Sequence, residues 1–186
     1  MRSTSLSDYY EPHYAEMRIV ADRLPQIHKA AKLVMSRKDS LYMPAEKATG
    51  VPWIMFGVTH YREGNCNPLT NVLNGQRWDR VTTITPKGLG PWPDWISCAQ
   101  DAAERHAWVD VTRWSIAKML QEGERYNGLG YANMDKDSPY VFSCTHWGRG
   151  VGKYVADGVY DTKAVDKQVG IAPIIKAIVD SGAWTP

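Results

Sequence analysis

Phenylalanine is almost missing from this chain of 186 residues, with two copies against ten tyrosines and eight tryptophans. Most of its rings therefore carry a polar handle, which suits stacking on flat, hydroxyl-rich ligands such as sugars as well as ordinary core filling. Cysteine is scarce too. Cys66, Cys98 and Cys144 are odd in number, far apart and without a CxxC pair, so neither a disulfide framework nor a zinc site is supported, and reduced thiols are expected. The histidines, His13, His28, His60, His106 and His146, show no HExxH spacing, so no metal is expected, and no cofactor is implied. Charge is nearly balanced, 22 Lys and Arg against 20 Asp and Glu, which is too small an excess to argue for nucleic acid as a partner. No apolar run approaches the ~18 residues of a membrane span, and the opening "MRSTSLSDYYEPHYAEM" lacks the apolar centre of a signal peptide. Neither stable membrane insertion nor export by the usual route is expected. There is no internal repeat and no low-complexity tract. With 44% hydrophobic and 23% charged residues, the chain reads as one globular domain able to bury a real core.

Met17, Val20, Ala21, Leu24, Ile27, Ala31 and Val34 recur every three to four positions and predict a helix over 14–38, kinked or divided at Pro25. Gly50, Pro52 and the inward face Val51, Ile54, Met55 and Val58 predict a second over 51–63, stopped at Gly64 and Asn65. Residues 65–93 turn to Asn, Gly, Thr and Pro with short β-prone pieces such as "RVTTIT", a long lobe of loops with room for one small hairpin. Such a length without regular structure is uncommon unless it is functional. Asp94 caps a predicted helix over 95–108 and Thr112 another over 113–125. Residues 127–160, rich in Gly, Asn and aromatics, read as an irregular second wall of a cleft. A last helix starts at Asp161 or Thr162 and runs to Asp180, with Val165, Val169, Ala172, Ile175 and Val179 inward and a distortion over Gly170 to Pro173. The expected fold class is mainly α, with a helical core and two elaborated loop regions. Residues 1–186 form one domain, on which 1–45 pack as an N-terminal helical extension.

Two carboxylates stand out. Glu63 closes "VPWIMFGVTHYREG" and shares a helix face with Phe56, Thr59 and His60. Partly apolar surroundings and the negative end of the helix dipole both act to raise its pKa, as a general acid working near neutral pH requires. The structural alternative is an exposed Glu at a frayed helix end. In "GERYNGLGY", Glu124 falls four residues after Leu120 and seven after Ala117, on the inward face, and so needs a partner. Tyr126, Asn127, Gly128 and Gly130 then supply a ring, an amide and flexible backbone that can grip an amide-bearing, hydroxylated ligand. The structural alternative there is a helix C-cap with Asn-Gly turn chemistry.

In this order, "VTHYREGNCNPLTNVLNGQRW", "TTITPKGLGPW", "ERYNGLGY", "SPYVFS" and "GKYVADGVYDTKAVDKQVG" resemble the lysozyme-like muramidases found as phage endolysins and bacterial "lysozyme family" proteins. The resemblance covers most of the chain after about residue 50. More distantly, a helix ending in Glu and a later Tyr-Asn-Gly are similar to goose-type lysozymes and soluble lytic transglycosylases. The resemblance implies an α+β lysozyme-like fold in which Glu63 is the catalytic acid and Tyr126 and Asn127 contact sugar. Glu124 precedes that motif in a structural role, and Tyr140, Lys153, Tyr154 and Asp157 form cleft wall or scaffold. Gln168 reaches inward from the last helix. Two features depart from the family: Gly64 stands where a Ser often follows the acid, and position 72 is Val where many phage lysozymes have Asp.

Glycoside hydrolysis normally uses two carboxylates. The candidates for the second are Asp79, Asp94 and Asp101, with Asp79 favoured because it lies in the loop lobe just after Glu63; Asp79 or a polar group near Thr82 and Thr83 would position water. The expected substrate is bacterial peptidoglycan, cleaved between N-acetylmuramic acid and N-acetylglucosamine. A lytic transglycosylase needs only one acid and is the nearest alternative. A non-catalytic wall-binding or virion module and a chitinase-type enzyme are the others. The resemblance further implies a monomer that waits in the host cytoplasm and reaches the wall through a membrane lesion.

Overall fold

Glycine, proline and short polar caps set most of the boundaries in the structure, a computed structural model that describes residues 1–156 and 158–186. In chain order the regular elements are α1 (Glu11–Ala15), α2 (Leu24–Met35), α3 (Met43–Thr49), α4 (Trp53–Gly64), α5 (Trp95–Arg105), α6 (Ile116–Asn127), α7 (Gly130–Asn133), α8 (Pro139–Phe142), β1 (Lys153–Ala156), β2 (Val159–Asp161) and α9 (Ile171–Asp180). The fold is mainly α with one small antiparallel sheet, the class expected. Among the described residues no helix is long and apolar enough to cross a membrane. The chain divides into two compact units, Met1–Ala31 with Ser115–Pro186, and Lys32–Trp114. The segment 1–45 is shared between them, because the division falls inside α2.

In the unit Lys32–Trp114, α4 is buried at every position from Trp53 to Arg62, so it is enclosed on all sides and not on one face. Pro52 offers no capping side chain, and the Trp53 N–H instead donates to Glu46 Oε2 at 2.7 Å. Gly57 is needed where it stands: a Cβ would lie 2.6 Å from Val34 Cγ1 and 3.2 Å from the Tyr42 ring. Asp94 caps α5 as predicted, accepting from the Ser97 N–H at 2.7 Å. Tyr42, Phe56, Trp95 and Trp108 fill the core between these helices.

Residues 65–94 form the expected loop lobe, but "RVTTIT" makes no strand, and the regular pairing described there is the single bridge Thr70 to Arg77. Side chains add to scattered backbone bonds such as that from the Thr82 N–H to the Leu89 carbonyl, 2.9 Å. Gln76 Oε1 accepts the N–H groups of Thr83 (2.7 Å) and Ile84 (3.1 Å), and Thr82 Oγ1 donates to the Pro86 carbonyl at 2.6 Å while accepting the Leu89 N–H at 3.0 Å.

In the other unit, three predicted boundaries move. The helix over 14–38 is two helices: α1 ends at Ala15, Ile19 bridges to Thr145, and Pro25 sits in the first turn of α2, where its missing N–H is harmless. α6 is capped by Ser115, which accepts the Lys118 N–H at 3.1 Å, and not by Thr112. The last helix begins at Ile171, ten residues later than expected at the earliest, because β2 occupies Val159–Asp161 and the Gly170 backbone packs so closely that a Cβ would lie 2.4 Å from the Val141 carbonyl. Val165 is accordingly 66% exposed and not inward. The hairpin lies in the stretch predicted to be irregular, with Lys153 opposite Asp161 and Tyr154 opposite Tyr160. Tyr131 packs edge-on against Tyr154 and Tyr160.

Candidate functional site

Glu63 lies in the last turn of α4 and is half-buried. The chain reverses directly after it. Asn65 and Cys66 take left-handed backbone, φ 50° and 54°, and their N–H groups return to the carbonyls of Tyr61 (3.0 Å) and His60 (3.3 Å). Two close approaches then hold this end of the helix. A Cβ on Gly75, which has φ +72°, would lie 2.2 Å from the Glu63 carbonyl oxygen; a Cβ on Gly64 would lie 2.1 Å from Thr70 Oγ1. Gly64 thus leaves no room for a side chain: the Thr70 hydroxyl already occupies the space. The turn carrying Gly75 is built by Asn71, fully buried, whose Oδ1 accepts the N–H groups of Leu73 (2.9 Å) and Asn74 (2.8 Å) and whose Nδ2 donates to Asn74 Oδ1 (2.9 Å).

The three aspartates weighed as a second carboxylate all have partners. Asp79 is exposed and forked by Arg77, which holds its carboxyl below the usual range. Asp94 is spent on the N-terminus of α5, and its hydrogen bonds from Ser97 lower its pKa as well. Asp101 accepts from Arg105 Nε at 2.8 Å and Trp92 Nε1 at 3.1 Å. Thr82 is buried within the loop, and Thr83 Oγ1 accepts from Gln76 Nε2 at 2.8 Å.

In the other unit, Glu124 is fully buried and paired with the guanidinium of Arg2 and with the Tyr10 hydroxyl, 2.7 Å away. Sequence reading asked for a partner but missed that it comes from the start of the chain, because nothing local to residue 124 points there. Two residues on, Tyr126 is half-buried and faces Tyr140, ring centroids 6.1 Å apart and planes tilted by 32°, with Asn127 exposed at the end of α6. Tyr126 and Tyr140 are therefore brought together, while Glu124 is committed to the core. Gln168 is half-buried and precedes α9, its N–H donating to Asp166 Oδ1 at 3.1 Å. Lys153 Nζ reaches the same oxygen at 3.4 Å, and the Tyr154 N–H donates to the Tyr131 hydroxyl at 3.1 Å. Asp157 lies outside the described residues. An open cavity of about 580 Å³ in this unit, with Arg23, Cys144, Arg149 and Asp166 in its walls, contains none of these predicted residues.

The chain matches no family model, no curated protein and no solved structure. Among the described residues no group of three or more His, Cys, Asp or Glu side chains is placed to hold a metal ion.

His60 shares a face of α4 with Glu63, and its partners come from residues distant in sequence. Its imidazole is fully buried, between the Tyr42 hydroxyl at 3.1 Å and Thr70 Oγ1 at 3.0 Å, with the Trp95 ring centroid 5.1 Å away. Burial pushes it down to about 4, so it is neutral at physiological pH. Burial likewise raises the neighbouring Cys66 thiol to about 11, which keeps it protonated and inert.

Proposed function

We propose that the protein is a peptidoglycan-degrading muramidase in which Glu63 is the general acid. The observation that carries this reading is the fixing of Glu63's own backbone, by Gly75 on its carbonyl and by Thr70 beneath Gly64, at the end of an otherwise buried helix. A carboxyl on a fixed stem is suited to hand a proton to a glycosidic oxygen, since misplacement by about 1 Å costs on the order of a hundredfold in rate. Taken by themselves, the Tyr126 and Tyr140 pair and the exposed Asn127 of the other unit are aromatic and amide groups of the kind suited to stacking on and reading N-acetylated sugars. Cleavage would fall between N-acetylmuramic acid and N-acetylglucosamine.

The occupied state of Asp79, Asp94 and Asp101 favours a second reading, a lytic transglycosylase. There one carboxyl acts first as acid and then as base, and the muramyl hydroxyl attacks within the substrate to leave an anhydro end. The two readings part at the product. Mass spectrometry of released muropeptides distinguishes a reducing end from an anhydro end by the mass of one water. Binding to purified peptidoglycan without release of any fragment would instead assign the chain to a non-catalytic wall-binding module.

A further inference from the structure

Beneath the last turn of α4, Tyr42, His60 and Thr70 form a row of hydrogen-bonded polar side chains, the first two fully buried. We propose that Thr70, oriented by His60 and Tyr42, is a positioning residue for Glu63: its hydroxyl fills the place of a side chain at Gly64 and fixes the direction in which the carboxyl leaves the helix. The inference rests on the reading of Glu63 as the acid.

The row has one consistent direction. Thr70 Oγ1–H donates to the Asn67 carbonyl at 2.8 Å, so its oxygen is the acceptor for His60 Nε2–H at 3.0 Å. The neutral imidazole then presents Nδ1 as an acceptor, and the Tyr42 hydroxyl donates to it at 3.1 Å. Tyr42 and His60 are fully buried, where an unmade hydrogen bond is costly, so the row holds its own geometry. Thr70 is anchored through its backbone as well: its N–H donates to the Asn67 carbonyl at 2.9 Å and its carbonyl accepts Trp95 Nε1–H at 3.0 Å. It cannot retreat from Gly64, where a Cβ would meet Thr70 Oγ1 at 2.1 Å and Thr70 Cβ at 2.9 Å. A helix end normally frays because its last carbonyls lack partners. Here the residue after Glu63 rests on Thr70, and Gly75 bears on the Glu63 carbonyl from the loop.

The test compares wild type with Thr70→Val, which keeps the shape and removes the hydroxyl, with Thr70→Ser, which restores it, and with Tyr42→Phe, which unsets the row from its far end. Turnover and KM on purified peptidoglycan, unfolding temperature and an NMR titration of the Glu63 carboxyl are measured for each, with Glu63→Gln alongside. The expected result for Thr70→Val is a loss of turnover on the order of ten- to hundredfold with KM unchanged and a displaced Glu63 titration. Thr70→Ser recovers most of the loss, and Tyr42→Phe shows a smaller fall of the same kind. Should Thr70→Val fail to fold, Tyr42→Phe decides: unchanged turnover and an unmoved Glu63 titration refute the proposal. An unmoved titration and wild-type turnover in folded Thr70→Val, or a serine variant as impaired as the valine one, also overturn it. If Glu63→Gln is inactive while Thr70→Val works normally, this inference alone is lost; if Glu63→Gln still releases fragments, the assignment of the acid falls first.

Discussion

His60 makes a pH dependence that the fold carries independently of any chemistry. Its folded pKa of about 4 lies below the ordinary 6.5, so between these values the unfolded chain binds a proton that the folded chain refuses. Stability therefore falls as pH drops from 6.5 to 4 and loses nothing further from this group below that. The total is about 3 kcal/mol at ~1.4 kcal/mol per pH unit. Denaturant unfolding at a series of pH values should show this slope in wild type and lose that part of it in His60→Gln. Gly75→Ala must accept both a left-handed backbone and a contact at 2.2 Å with the Glu63 carbonyl, whereas Gly88→Ala, at φ +78° with nothing within 4 Å, accepts only the first. Roughly 2 to 5 kcal/mol is expected for the former and about 1 to 2 kcal/mol for the latter, read from chemical denaturation. Sequence made Glu63 visible through its neighbours at three, four and seven positions. It could not show Thr70 or Gly75, which reach the same helix end only after the loop has turned back.

Helix caps decide where the elements begin, and they separate the readable boundaries from the others. Asp94 was legible because an isolated acceptor stands three residues before the N–H it binds, and Asp94→Ala should lower stability by about 1 kcal/mol. Before α6, the predicted cap is Thr112, and the structure uses Ser115, three residues later. Ser115→Ala should therefore cost about 1 kcal/mol and Thr112→Ala close to nothing, a contrast that paired thermal melts resolve. The remaining misplacements share one cause. Helical spacing of apolar residues over 14–38 and after 161 persisted through segments whose backbone is claimed by distant partners, Thr145 for Ile19 and Val141 and Ser143 for Gly170. The loop lobe was recognised by composition, but beside its backbone bonds it is tied by Asn71, Gln76 and Thr82 side chains, which no strand pattern anticipates.

Across the whole chain, the feature least visible in one dimension is the ion pair of Arg2 with Glu124, whose side chains are 9% and 0% exposed. It ties the first residues of the chain to the core of α6, helped by Gln121 Nε2 donating to the Thr4 carbonyl at 2.7 Å. Arg2→Ala leaves a buried carboxylate with the Tyr10 hydroxyl as its described partner and should cost roughly 3 to 5 kcal/mol in denaturant unfolding, far more than an exposed ion pair such as that of Lys176 with Asp180. The mainly helical class and the position of the candidate acid followed from periodicity and caps, while the division of the chain into two units did not, since it depends on these long-range pairs. The most direct test of the account is release of soluble fragments from purified peptidoglycan by wild type and by Glu63→Gln, each checked for folding. Clearing by wild type and none by the variant, with binding retained, is the predicted result; equal release by both would contradict Glu63 as the acid.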